Sequence, residues 1–149
     1  MSAFEESPAP PRDPCAEKLH PRAIEGLRLF NAGEYFEAHE ALELAWRQER
    51  GPIRELYRGI LQVGVAYYHI LRNNYRGACK MLQRCRPWLA PFPDRCRGIN
   101  VEKLRRDSQA VEAELVRLGA ERLSSLNRAL LRPVEFTLET QTDRNRHET

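Results

Sequence analysis

The run His39-Glu40-Ala41-Leu42-Glu43-Leu44-Ala45-Trp46 sets an imidazole and a carboxylate four residues apart. On a helix that spacing brings both to one face, one turn apart. There they can share a metal ion, form a hydrogen-bonded pair, or pass a proton. For a metal site the ligands would be His39 and Glu43, with Glu40 or His69 as a third. A divalent metal is therefore the cofactor this pair admits, and nothing else in the sequence asks for one. The pattern is not the zincin His-Glu-x-x-His, since a carboxylate stands where the second histidine would be. The blander use of the same groups is a hydrogen-bonded network among imidazole, carboxylates and an arginine, and the sequence favours it.

At about 100° per residue, Phe36, His39, Glu43 and Trp46 share one face of their helix, while Ala38, Ala41, Leu42 and Ala45 share another. In the helix that follows, Arg58, Gln62 and His69 fall within about 40° of each other. If the two stripes face one another, the chain holds a polar pocket built from Glu34, His39, Glu40, Glu43, Trp46, Arg58, Gln62 and His69. Other chemistries find less support. No serine sits in a Gly-x-Ser-x-Gly turn, and no glycine-rich phosphate loop exists. Arg84, Arg86, Arg95, Arg97, Arg105 and Arg106 bracket Trp88 and Phe92, the raw material of a nucleic-acid surface. With a net charge of only +3, a solvated face is the better account, and nucleic acid is not an expected partner.

These groups are positioned by a chain of 149 residues, 42% hydrophobic and 30% charged, enough for one domain with a core. The longest uncharged stretch, Gly59 to Leu71, is shorter than the roughly 18 to 20 residues that cross a bilayer, so no membrane partner is expected. Met1 to Asp13 shows no basic start followed by an apolar run, and the expected address is cytoplasmic. On that reading Cys15, Cys79, Cys85 and Cys96, which form no Cys-x-x-Cys pair, are expected as free thiols.

Residues 1–16 read as a disordered proline-rich leader. A helical domain over 17–122 follows, and 123–149 should hold a short helix, an extended segment and a polar tail. Within the domain, Pro21 opens a first helix that Gly33 stops. A second runs from Glu34 to Arg50, and a third from Ile53 to Asn73. The third is apolar almost all round in its middle, as in a bundle centre, and its Gly59 and Gly64 make sense if a neighbour packs close. A fourth covers Asn74 to Leu89. A fifth, capped by Asn100, covers Val101 to Leu118 and ends at Gly119. After Pro133 the alternating Val134-Glu135-Phe136-Thr137-Leu138 is expected extended but unpaired, nothing else in the chain offering it a partner.

Shifting the sequence by forty positions lays Phe30 on Ile70, Gly33 on Asn73, Tyr35 on Tyr75, Ala38 on Ala78 and Leu42 on Leu82. Glycine and asparagine tolerate a left-handed turn between antiparallel helices, alanine allows close approach, and leucine fills the seam. The pattern looks like a tetratricopeptide-type hairpin used twice. Two such units do not make a solenoid, so the expected fold class is all-α, a compact bundle of about five helices. The overlay also separates scaffold from the rest: His39 falls on Cys79, Glu40 on Lys80, Glu43 on Gln83 and Trp46 on Arg86.

The run from Phe30 to Trp46, with Tyr57-Arg58-Gly59-Ile60-Leu61-Gln62, Asn74-Tyr75-Arg76-Gly77-Ala78 and Arg97-Gly98-Ile99-Asn100-Val101, resembles the domain-of-unknown-function family 309. The resemblance covers Pro21 to Leu118 and echoes weakly at Pro133-Val134. It implies an all-α fold and a shared His-Glu-x-x-Glu-x-x-Trp face, and it supplies no reaction. The family usually has aspartate where this chain has Asn100. The functional expectation is a cytosolic helical module that binds an unknown protein or small-molecule partner at this face. The alternative is a small metal-dependent or acid–base enzyme, hydrolase-like, that uses the same residues. The sequence does not indicate an oligomeric state.

Overall fold

The computed structural model describes residues 13–138. Five helices form the bundle: α1 (Pro21–Asn31), α2 (Tyr35–Gln48), α3 (Ile53–Leu71), α4 (Tyr75–Leu89) and α5 (Val101–Leu118). The all-α fold class holds, with the third helix in the middle. Leu56, Tyr57, Ile60, Val63, Ala66 and Tyr67 of α3 are fully buried, as its unbroken apolar centre requires. Gly59 and Gly64 have the close neighbours that their presence implies. A Cβ on Gly59 would stand 2.6 Å from a Leu89 methyl, and one on Gly64 would stand 3.2 Å from the Phe30 ring.

The internal repeat is reproduced bond by bond. Gly33 (φ 80°) and Asn73 (φ 57°) both take the left-handed conformation that turns one helix back on the last. The amide of Gly33 donates to Phe30 O and that of Asn73 to Ile70 O, each at 3.0 Å. One residue on, Glu34 donates to Leu29 O at 2.9 Å and Asn74 to His69 O at 2.8 Å. Ala38 and Ala78 are fully buried, as are Leu42 and Leu82. Local turn chemistry was therefore enough to place both corners.

Four expectations need correction, and all concern segments outside the hairpins. Cys15 and Cys96 form a disulfide across 81 positions, leaving Cys79 and Cys85 as the free thiols. The leader was expected to be unstructured through residue 16. Residues 1–12 lie outside the described residues, but Pro14–Ala16 form a 3-10 turn capped by Asp13, whose Oδ1 accepts from Cys15 N at 3.0 Å. Residues 95–100, expected only as the approach to α5, form a hairpin, β1 (Arg95–Cys96) with β2 (Ile99–Asn100). The segment after Pro133 finds its pairing partner there. Asn100 N donates to Glu135 O at 2.9 Å and Thr137 N to Gly98 O at 3.0 Å, with a bridge between Ile99 and Phe136. Asn31 supports the same segment from α1, its side-chain amide exchanging two bonds with the Val134 backbone at 2.8 and 2.9 Å.

The remaining boundaries agree closely. Asn100 caps α5 by accepting from Lys103 N at 3.0 Å. The short helix expected before Leu131 is two 3-10 turns, Ala120–Ser125 and Arg128–Leu130.

Candidate functional site

Helices α2, α3 and α4 bring one aromatic–cationic face together. Trp46 lies in the last turn of α2, Arg54 and Arg58 one turn apart near the start of α3, and Trp88 at the end of α4. The Arg54 guanidinium carbon stands 5.0 Å from the Trp46 ring centroid, and that of Arg58 stands 5.5 Å from the same ring. Arg58 also lies over Trp88, 4.2 Å from its centroid. A guanidinium over an indole is held by the ring quadrupole and by dispersion, which fixes its plane without using its N–H donors.

Those donors are uncommitted. Among the described residues neither Arg54 nor Arg58 makes a side-chain hydrogen bond, and the nearest carboxylate, Glu55, is 3.6 Å from an Arg58 terminal nitrogen. Trp46 Nε1, Arg54 Nε, Glu55 Oε2 and Gln62 Oε1 are all buried without a hydrogen-bond partner. A buried polar atom left unpaired costs about 1–3 kcal/mol.

The sequence-predicted residues divide. His39 Nε2 is 3.8 Å from Glu43 Oε2, so the pair forms. The other Glu43 oxygen accepts from Arg47 at 2.6 Å, making the trio an ion-pair chain along the outside of α2. Glu40 is exposed and adds no third ligand. Glu34 is the exposed N-cap residue of α2, with no side-chain capping bond. Among the described residues no group of three or more His, Cys, Asp or Glu side chains is placed to hold a metal ion. His69 belongs to another corner. Asn74 Oδ1 accepts from Gly77 N at 3.0 Å, so its Nδ2 donates to His69 Nδ1, 3.1 Å away. Burial lowers the His69 pKa, and the asparagine donor holds the ring in its neutral form. Trp46, Arg58 and Gln62 are thus the predicted residues that belong to the α2–α4 face, while His39 and Glu43 run along its edge.

Sequence reasoning missed Arg54 and Glu55. The spacing of Arg54 from Arg58, one helical turn, was the available signal. It also missed the most heavily bonded polar group, Arg97, whose side chain is 4% exposed. Its Nε donates to Pro14 O at 2.8 Å, Nη1 to Glu49 and Tyr57 at 2.8 and 3.1 Å, and Nη2 to Glu17 and Glu49 at 3.2 and 3.4 Å. Its own amide donates to Cys15 O at 2.6 Å. Burial opposes the charge, but the bonds from Glu49 and Tyr57 outweigh it and hold the guanidinium pKa above its ordinary value. Arg97 (φ 50°) and Gly98 (φ 82°) form the two-residue turn between β1 and β2, and a Cβ on Gly98 would collide with Thr137 O. A bulky residue in the left-handed region costs about 1–2 kcal/mol, which the five side-chain bonds offset.

Of the arginines first read as a possible nucleic-acid surface, Arg86 pairs with Glu112, Arg95 with Glu135, Arg105 with Asp94 and Arg106 with Glu102, in addition to Arg97. A cavity of about 580 Å³ lies between residues 13–19, an N-terminal strap, and the hairpin, lined by Lys18, Leu19, Ile24, Arg95, Arg97 and Thr137 among others. A smaller one of about 210 Å³ lies between α4 and α5. Trp46, Arg54 and Arg58 line neither. The Cys85 thiol, pushed up to about 12 by burial, is a core group and not a nucleophile.

A paired-hairpin all-α bundle with one aromatic–cationic face is the class of protein this geometry defines. The family model described as "Domain of unknown function (DUF309)" matches residues 23–81. The matched stretch runs from α1 into α4 and holds Trp46, Arg54 and Arg58. The match ends at Met81, short of the Leu118 to which the sequence resemblance was drawn. An uncharacterized protein of Aquifex aeolicus (strain VF5) is 29% identical over 82 residues, covering 54% of this chain and 25% of that protein. The uncharacterized protein YpuF of Bacillus subtilis (strain 168) is 39% identical over 67 residues, 43% of this chain and 38% of that protein. The chain spans less than half the length of either curated relative.

Proposed function

We propose that this chain is a helical binding module that takes a partner protein on the face where α2, α3 and α4 meet. The observation that carries the proposal is a pre-oriented arginine–tryptophan stack in which neither Arg54 nor Arg58 makes a side-chain hydrogen bond among the described residues. Side chains fixed in advance lose little entropy on binding. Tryptophan and arginine are also the residue types that dominate binding energy at protein interfaces. Two tetratricopeptide-like hairpins supply the skeleton and hold three helices in register beneath the face. A protein partner fits better than a small molecule because the stack lines neither of the two cavities described above. Disulfides mark oxidising compartments, so the Cys15–Cys96 bond keeps the cytoplasmic address out of this proposal.

A photoreactive benzophenone residue in place of Arg47, exposed beside Glu43 on α2, should cross-link to one partner of defined mass in the cells that make the protein. The same residue in place of Arg128, on the 3-10 turn after α5, should not. Adducts from both positions, or from neither, would remove the α2–α4 face as the docking surface.

A further inference from the structure

The chemistry of the partner can be taken a step further, on the footing of the binding-module reading. We infer that the stack receives an acidic segment of the partner, a short run of Asp or Glu side chains.

The argument is one of charge left over after the chain's own pairings are counted. Of the carboxylates around this face, Glu43 is held by Arg47 and Glu49 by Arg97, which leaves the exposed Glu40 on α2 and Glu55 beside Arg58 at 3.6 Å. The unpaired cations outnumber these two. Arg54 has no carboxylate neighbour among the described residues, nor do Arg50 at the α2–α3 corner and Arg84, one turn before Trp88 on α4. Arg54 and Arg58 therefore offer a local positive excess whose direction is set by the tryptophans. The indole rings constrain the flat sides of the two guanidiniums, so their terminal N–H groups are what an arriving ligand meets. An arginine edge carries two parallel donors that match the two oxygens of a carboxylate, and charged hydrogen bonds of this kind are about twice as strong as neutral ones. Glu55 lies outside hydrogen-bond reach of Arg58, so an incoming carboxylate has no established bond to displace. Stacking of nucleic-acid bases is the weaker match, because both indole rings already have a guanidinium over them.

The test titrates the full chain with a hexaglutamate peptide, a hexaglutamine peptide and a hexathymidylate oligonucleotide, following tryptophan fluorescence. Hexaglutamate should bind saturably, and more weakly as ionic strength rises. The Arg54→Gln/Arg58→Gln double variant should weaken it by about tenfold or more. Arg106→Gln, which removes an exposed arginine paired with Glu102 on α5, should leave it unchanged. Arg54→Lys/Arg58→Lys, which keeps the charge and loses the fork, should fall between. Equal binding of hexaglutamine, an equal loss in Arg106→Gln, or tighter binding of the oligonucleotide would overturn the inference. A cross-link from position 47 together with no discrimination for hexaglutamate removes the acidic class and leaves the docking face standing. Absence of the cross-link removes the face itself.

Discussion

Arg97 and Arg58 are each held in place by several neighbours, yet they are held in opposite ways. Arg97 is buried with every N–H spent, on Pro14, Glu17, Glu49 and Tyr57. Arg58 is oriented by two indole rings and has no hydrogen bond among the described residues. The first arrangement ties the N-terminal strap, the hairpin and the α2–α3 corner into one unit. The second leaves its bonding capacity unspent among the described residues. The contrast separates the two arginines by how their donors are used, where burial alone would separate them only in degree.

The largest test of that contrast is stability. Arg97→Gln should lower the unfolding free energy by roughly 3–5 kcal/mol, because it removes a buried guanidinium and the bonds that it makes to the half-buried Glu49, to Glu17, Tyr57 and Pro14. The Arg54→Gln/Arg58→Gln variant should cost less, about 1–2 kcal/mol, because it removes half-buried guanidiniums held by cation–π contacts and no buried ion pair. Urea denaturation followed by circular dichroism measures both, and similar losses in the two variants would erase the distinction.

Next comes the covalent tie beside Arg97. Reducing Cys15–Cys96, or replacing both cysteines by serine, should cost roughly 2–4 kcal/mol by freeing a long loop in the unfolded chain. Binding at the α2–α4 face should persist, since neither cysteine touches the stack. Denaturation with and without a phosphine reductant, alongside the hexaglutamate titration, reads the two effects apart.

The smallest effect sharpens the comparison from the other side. His69 was grouped with Arg58 on the wheel, but its bonding is spent on Asn74. Its imidazole is harder to protonate folded than unfolded, so it contributes fully to stability above the ordinary value of 6.5 and loses that contribution as pH falls below it. Nuclear magnetic resonance should show the His69 ring titrating below 6.5. A midpoint at or above that value would place His69 among the uncommitted groups.

How much of this was legible varies with the range of the interaction. The helices, the two corners and the Asn100 cap depend on residues within a few positions of one another, and periodicity with turn chemistry exposes them. The facing of Trp46 and Arg58 was half legible: each stripe could be drawn on its own wheel, but not the rotation that brings one to the other. Arg54 escaped because it sits at the edge of its stripe. Arg97 was legible only as a member of a charged run, since nothing near it in sequence says that Glu17, Glu49 and Tyr57 will converge on it.

The amino-acid order alone determined the helical class, the duplicated hairpins and the candidate residues on α2 and α3, because backbone preferences and amphipathic periods act locally. Only the tertiary structure decided that Cys15 meets Cys96, that the segment after Pro133 pairs with the hairpin, and which arginines keep their donors free. Those outcomes depend on contacts between distant positions, and they become fixed only when a shared core brings the partners together.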